Sequence, residues 1–284
     1  MTHAGVTASE AELGQAEYLA LARILYDESR IALGDAKATL VRSRLARRLR
    51  ATGIDRFADY VHRVREDPVE RTAMVTALTT NHTHFFRENH HFDHLAAEVR
   101  PILKERSASR PIRLWSAGCS SGEEVYSLAM ALAGDCRAGA GWLLERDVKL
   151  LATDISLPVV EATARARYTS EGCAPIPPRL RALWTKDEGS EVAILPELSG
   201  RVHAKALNLF GEWPIRHRFD VIFCRNVMIY FDDSGKRELE LRLVAQLNPG
   251  GHLYIGHSER LLGEATQAMT ACGHTIYRKA GELP

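Results

Sequence analysis

The residues best placed to do chemistry lie in one stretch, Leu114–Tyr126, which reads Leu-Trp-Ser-Ala-Gly-Cys-Ser-Ser-Gly-Glu-Glu-Val-Tyr. Gly118, Ser120, Ser121 and Gly122 are small residues that let the backbone turn sharply and approach a ligand. Glu123 and Glu124 follow at once. The spacing is neither Gly-x-Gly-x-x-Gly nor Gly-x-x-x-x-Gly-Lys-[Ser/Thr], so neither a dinucleotide fingerprint nor a phosphate loop is indicated. A helix start that already carries two carboxylates repels phosphate and suits a ligand with hydroxyls or positive charge. Asp154 and Asn226 each close an apolar run, and Asn81, Thr83 and Arg87 lie in a polar stretch, Leu78–Glu88. His82, His84, His90, His91 and His94 invite a metal reading, with His90 and His94 four residues apart. No cysteine or acidic third ligand is spaced to complete a site, so no metal is expected.

These residues need elements to hold them. Ile112–Trp115 reads as a buried strand and Val125–Leu132 as a helix, with the glycine turn between them. Val148–Thr153 is a second strand that ends in Asp154, where doubly wound sheets bind ribose hydroxyls. A helix is expected near Leu157–Arg167. Phe219–Asn226 is a third buried strand, ending in polar residues at the carboxyl edge of the sheet, where ligands bind in this architecture. A helix over about Asp233–Leu247 and two late strands, His252–Gly256 and His274–Arg278, complete an α/β region. Between them, 168–205 carries Pro175, Pro177, Pro178 and Pro196 and no long period. It reads as an insertion with short strands near Glu191–Leu195 and Arg201–Ala204. S-adenosylmethionine has hydroxyls, an ammonium and a sulfonium, and suits such a site.

The chain has 284 residues, 45% hydrophobic and 26% charged, with a net charge of +1. That is ordinary for a globular protein and gives no global field for nucleic acid. Five scattered cysteines support no disulfide framework and suggest reduced thiols in the cytoplasm. No apolar run is long enough to span a membrane. Residues from about Glu10 to Leu103 read as helical, with Tyr18, Leu21, Leu25 and Val41, Leu45, Leu49 at helical spacing. The expected division is a helical domain over 10–105 and an α/β domain over 106–284. On the helix of Val41, the residues Arg44, Arg47 and Arg48 share the face opposite the apolar stripe. They form either a solvated face or a docking surface for an acidic partner.

Taken together, several stretches resemble the chemotaxis receptor methyltransferase (CheR) family. They are Thr79–Glu88 with His90-His91-Phe92, Ser116–Met130, Thr153-Asp154-Ile155, Phe219–Asp232 and Pro249–Glu259, the last containing Gly256-His257-Ser258-Glu259. The resemblance implies a Rossmann-like class I methyltransferase sheet with a small N-terminal all-helical domain and a small β-subdomain insertion. It also implies transfer of a methyl group from S-adenosylmethionine to glutamate side chains of methyl-accepting chemotaxis receptors. The family's cofactor contacts fall on Asn81, Thr83, Arg87, Glu123, Asp154, Asn208, Leu209, Asn226 and Val227. Arg87 is expected to pair with the methionine carboxylate, because a guanidinium binds a carboxylate bidentately. Tyr230 is the expected lining residue of the transfer site. The receptor's helical region is the expected partner, docked through Arg44, Arg47 and Arg48, with no nucleic acid, no membrane insertion and a monomeric enzyme.

Two other readings stay open at this level. One is a non-catalytic module that binds S-adenosylmethionine or S-adenosylhomocysteine, and the other a nucleic-acid methyltransferase. Against the second, no Asn-Pro-Pro-Tyr or Asp-Pro-Pro-Tyr follows the Phe219–Asn226 strand. In the family the insertion forms a β-subdomain, and some members use a Gly-x-Gly loop there to hold a receptor's C-terminal peptide. Here the loop is Lys186-Asp187-Glu188-Gly189-Ser190-Glu191, with one glycine and three acids, so a tether-independent enzyme is expected.

Overall fold

The computed structural model describes residues 12–281, so residues 10 and 11 of the expected helical domain lie outside the described residues. The chain divides into two compact units, up to Thr80 and from Asn81.

The first unit contains α1 (Gln15–Ser29), α2 (Ala38–Thr52), α3 (Phe57–Glu66) and α4 (Pro68–Leu78). Its core is the periodic set read in the sequence: Tyr18, Leu21 and Leu25 of α1 and Val41, Leu45 and Leu49 of α2. Phe57, Tyr60 and Val64 of α3 and Met74 and Leu78 of α4 complete it. The Asp67-Pro68 signal starts α4 as chemistry requires: the Asp67 carboxylate accepts the Val69 N–H, and Pro68 needs no donor in the first turn.

The arginine face differs from the expectation. Arg44 donates to the Leu78 carbonyl at 2.7 Å, the Thr79 carbonyl at 3.1 Å and the Thr80 hydroxyl at 2.9 Å, closing the end of α4. Arg48 donates to both oxygens of buried Glu70, at 3.0 and 2.5 Å, and the Tyr60 hydroxyl donates to Glu70 at 2.7 Å. Long side chains at the flank of an apolar stripe reach back over it. Two of the three docking candidates are therefore committed within the unit. Arg47 is exposed, and so is Arg50, one turn along the same helix.

In the second unit, α5 (His90–His94), a π-helical turn (Leu95–Val99) and α6 (Arg100–Arg106) precede β1 (Ile112–Ala117). The sequence assigns these helices to the first domain. Here Phe92, Leu95, Val99 and Leu103 share a core with Ile112 and Leu114 of β1 and with Leu128 and Met130. Helical periodicity identifies the helices but not the surface they cover, and the division falls at Thr80/Asn81 instead of 105/106.

The remaining elements run α7 (Glu123–Ala133), α8 (Gly141–Glu145), β2 (Val148–Asp154), α9 (Leu157–Arg165), β3 (Arg167–Thr169), α10 (Pro178–Trp184), β4 (Thr185–Glu188) and β5 (Glu191–Ile194). After them come α11 (Pro196–Ser199), β6 (Val202–Ala206), β7 (Phe219–Cys224), α12 (Asp233–Gln246), β8 (Leu247–Ile255), β9 (Met269–Gly273) and β10 (Ile276–Lys279). The seven-stranded sheet has the order β6-β2-β1-β7-β8-β10-β9. Its first five strands are parallel, and β10 runs antiparallel to both of its neighbours, β8 and β9. The strand order reverses at β1, which has β2 on one side and β7 on the other. The ends of β1, β2 and β7 thus frame the crevice where such sheets bind ligands.

Helix α7 is buried on nearly every side from Glu124 to Ala133, so its sequence is apolar all round, not amphipathic. It shares a core with Leu114, Leu150, Val221 and Phe223. Each such large side chain contributes about 1.5–3 kcal/mol on burial.

The insertion forms a three-stranded antiparallel sheet, β3-β5-β4. The strand expected near Arg201–Ala204 does not belong to it: β6 pairs in parallel with β2, Leu150 opposite Val202. A short polar strand carries no signal for which sheet it joins. The Lys186–Glu191 stretch is a hairpin across Gly189 and Ser190, with Gly189 at φ +75°. Two of its acids are engaged, Glu188 with Arg167 at 2.8 Å and Asp187 with Arg181 at 3.2 Å.

Candidate active site

The turn after β1 is built by residues that accept unusual backbone angles. Gly118 (φ +84°) and Gly122 (φ +100°) are left-handed, and so is Ser120 (φ +51°). A Cβ on Gly118 would stand 2.4 Å from a methyl of Val227, and one on Gly122 would stand 2.7 Å from the Tyr168 hydroxyl. Only glycine fits either place.

Asp154 pins this turn. One carboxylate oxygen accepts the Ser120 N–H at 3.0 Å, and the other accepts the Ser156 N–H at 3.0 Å. The group is buried at the carboxyl end of β2. Burial pushes its pKa up, and the amides of Ser156, Ser120 and Ile155 oppose that shift. An ionised carboxylate offers about four acceptor sites, so capacity for a hydroxyl donor remains beside these amides. Asn208 follows β6 on the neighbouring strand, where the Leu207 N–H bonds the Asp154 carbonyl at 2.9 Å. Its side chain accepts the Phe210 N–H at 2.9 Å, and Leu209 beside it is buried.

The two carboxylates at the start of α7 separate. Glu123 is half-buried and accepts the Ser121 hydroxyl at 2.7 Å. Glu124 turns inward, accepting from the Ser116 hydroxyl at 2.7 Å and pairing with Arg225 at 3.2 Å.

The Asn81–Glu88 loop closes on the same end of the sheet. The Asn81 carbonyl accepts the Ser120 hydroxyl at 2.9 Å, and the Phe86 N–H donates to the Ser127 hydroxyl at 2.9 Å. Thr83 is half-buried in this loop. Arg87 donates to the His82 carbonyl at 3.0 Å, and its own carbonyl accepts from Arg225. Arg225 also pairs with Glu88 at 3.3 Å and lies over the rings of Phe92 and Phe223. Asn226 (φ +57°) donates from its side chain to Glu88 at 3.2 Å. His257 bonds Glu88 at 2.9 Å. Burial raises the Glu88 pKa, but Arg225, His257 and Asn226 outweigh it and bring the carboxyl down to about 2.

The sequence-derived residues Asn81, Arg87, Asp154 and Asn226 are thereby linked through Ser120, Glu88 and Arg225, and Val227 touches the space above Gly118. Tyr230 lies farther along, in the short helical turn Met228–Tyr230, half-exposed. Sequence reasoning missed Arg225, Glu88 and the inward role of Glu124. Arg225 and Glu88 stand beside candidate residues in the matched stretches, and a charged residue directly after an apolar strand is the signal that could have found Arg225.

Two family models match, "CheR methyltransferase, SAM binding domain" over residues 81–278 and "CheR methyltransferase, all-alpha domain" over residues 16–79. The chain belongs to the CheR methyltransferase family. It is 40% identical to a probable chemotaxis protein methyltransferase of Rhizobium etli, covering 90% of this chain and 96% of that one. It is 38% identical to chemotaxis protein methyltransferase 2 of Pseudomonas aeruginosa, covering 90% of each. To the chemotaxis protein methyltransferase of Klebsiella aerogenes it is 37% identical, covering 93% of this chain and 90% of that one. The two family domains meet where the structure divides, at 79–81. S-adenosylmethionine is the cofactor of this CheR methyltransferase, and the strand-end crevice lies within the matched cofactor domain. No helix among the described residues is long and apolar enough to cross a membrane, and no group of candidate metal ligands occurs among them.

Proposed function

We propose that the chain methylates glutamate side chains of methyl-accepting chemotaxis receptors in the cytoplasm. The observation that carries this reading is the acid-rich crevice at the ends of β1, β2 and β7. There Asp154 and Glu123 stand with Arg87, while Glu88 and Glu124 are paired with Arg225. That charge balance and the cradle above Gly118 suit a sulfonium donor with ribose hydroxyls.

In this reading Asp154 accepts from the ribose hydroxyls, and Glu123, Asn208 and the apolar Leu209 and Val227 flank the nucleoside. Arg87 faces the amino-acid carboxylate, with Asn81, Thr83 and Asn226 beside it. The bound donor supplies an activated methyl group. The acceptor needs no base, because a glutamate with a reference pKa of about 4.3 is already ionised at neutral pH. The protein's work is to align the acceptor oxygen with the methyl carbon and to strip water from it. Tyr230 orients the acceptor and moves no proton. The names of the relatives support chemotaxis proteins as substrates. On α2 of the helical unit, Arg47 and Arg50 are exposed and would steer an acidic receptor surface.

Incubation with labelled donor and a receptor cytoplasmic fragment tests this directly. Label should map to glutamate side chains as a base-labile ester. Charge reversal of Arg47 and Arg50 to Glu should slow transfer without changing affinity for S-adenosylhomocysteine. Label on lysine or on nucleic acid, with none on glutamate, would refute the proposal.

A further inference from the structure

The Gly256-His257-Ser258-Glu259 stretch carries no role in the chemistry above. We propose that Glu259 is a positioning residue for methyl transfer: its carboxylate fixes the turn that presents Asn226 and Tyr230. This rests on the functional reading of that turn.

The turn leaves β7 after Cys224, so its N–H groups lose their ladder partners and need acceptors elsewhere. Glu259 supplies them. One oxygen accepts the Asn226 N–H at 3.1 Å and the Gly256 N–H at 2.5 Å, and the other accepts the Ile229 N–H at 3.2 Å. The side chain is buried, with the residue 5% exposed. The bonded amides bracket Val227 and Met228 and end one residue before Tyr230. Asn226 is left-handed at φ +57°, a conformation asparagine accepts more readily than other side-chain-bearing residues, and the Glu259 carboxylate holds its N–H there.

The rest of the stretch serves the same contact. A Cβ on Gly256 would stand 2.7 Å from the Asn226 nitrogen and 2.9 Å from a Glu259 oxygen, so glycine is what lets β8 come this close. His257 bonds Glu88 at 2.9 Å, beside Arg87 in the loop that borders the cofactor crevice. A buried carboxylate is costly to desolvate, and this one is balanced by amides of the turn and of Gly256. A second buried carboxylate, Glu240, bonds the Leu262 N–H at 2.8 Å and holds no amide of the turn, so it serves as a structural control.

Hydrogen exchange on the wild-type protein without ligand should show slow amides at Asn226 and Ile229. Glu259→Gln turns an acceptor into a donor among N–H groups. It should speed exchange in 224–231, weaken S-adenosylhomocysteine about tenfold and lower kcat by on the order of tenfold to a hundredfold. Gly256→Ala should do the same with the carboxylate intact. Glu240→Gln should lower Tm yet leave exchange in 224–231, product affinity and kcat at wild-type values. Wild-type kcat and affinity in Glu259→Gln, or an equal fall in Glu240→Gln at matched loss of Tm, would overturn the proposal. If Glu259→Gln does not fold, the wild-type exchange decides, and fast exchange at Asn226 and Ile229 overturns it. Product affinity and exchange do not depend on the methyl acceptor, so these readouts stand even if the acceptor is not a receptor glutamate.

Discussion

Each unit contains a buried arginine–carboxylate group, and the two are built differently. In the helical unit, Arg48 meets both oxygens of Glu70 and the Tyr60 hydroxyl adds a third bond. Burial pushes the Glu70 carboxyl up, but Arg48 and Tyr60 outweigh it, so its pKa falls below the usual range. The group sits in regular helix. In the α/β unit, Arg225 faces Glu88 at 3.3 Å, Glu124 at 3.2 Å and the Arg87 carbonyl, and its Nε has no hydrogen-bond partner in the protein. Phe86, Glu88 and Asn226 around it are left-handed. A saturated group in regular backbone is a staple. An ion-pair group whose neighbours leave regular helix and strand geometry instead fixes the course of two loops at the sheet edge.

The largest expected effects separate these two roles. Arg225→Met leaves Glu88 and Glu124 buried without a cation, which costs about 3–5 kcal/mol when one partner of a buried pair is removed. It should also release the Arg87 loop and weaken S-adenosylhomocysteine by about tenfold or more, a change of roughly 1.4 kcal/mol for each tenfold. Arg48→Met should destabilise the helical unit comparably and leave product affinity unchanged. Calorimetric titration with denaturant unfolding checks both. Equal loss of affinity in the two variants would break the distinction.

A smaller effect sharpens it through pH. His91 is buried beside the Arg225 group, and its pKa is pushed down to about 3 by burial and then by the charges of Arg225 and His90. The folded protein keeps it neutral, whereas the unfolded chain protonates it below about pH 6.5. Between about 3 and 6.5 the unfolded state therefore binds the extra proton, and stability should fall as pH drops below 6.5. The slope from this one group is about 1.4 kcal/mol per pH unit. Glu70 is depressed in the folded state, so its contribution is present above its unfolded pKa of about 4.3 and is lost only below that. His91→Gln should remove about one proton from the slope of unfolding free energy between pH 4 and 6. An unchanged slope would mean that His91 titrates normally.

The same contrast explains what the sequence made legible. Apolar periodicity and turn chemistry located the helices of the first unit, β1, β2, β7 and the glycine turn, because those signals are local. Asp154 and Asn226 were legible for the same reason, as polar residues closing apolar strands at a predictable sheet edge. The assignment of Phe92, Leu95, Val99 and Leu103 was not, because a buried stripe does not name the surface that buries it. Nor was the inward turn of Arg44 and Arg48, whose partners lie 22 to 36 residues away. Glu124 and Arg225 lie 101 residues apart, and local spacing cannot show that a charge will be buried against another so distant.

The central claim is that the strand-end crevice around Asp154 holds the cofactor, and isothermal calorimetry with S-adenosylhomocysteine on Asp154→Ala tests it most directly. Loss of the carboxylate should weaken binding by about tenfold or more, since a hydrogen bond to a charged group contributes roughly 1.5–3 kcal/mol. Circular dichroism should show that the variant remains folded. Wild-type affinity in a folded Asp154→Ala protein would contradict the account and place the cofactor elsewhere.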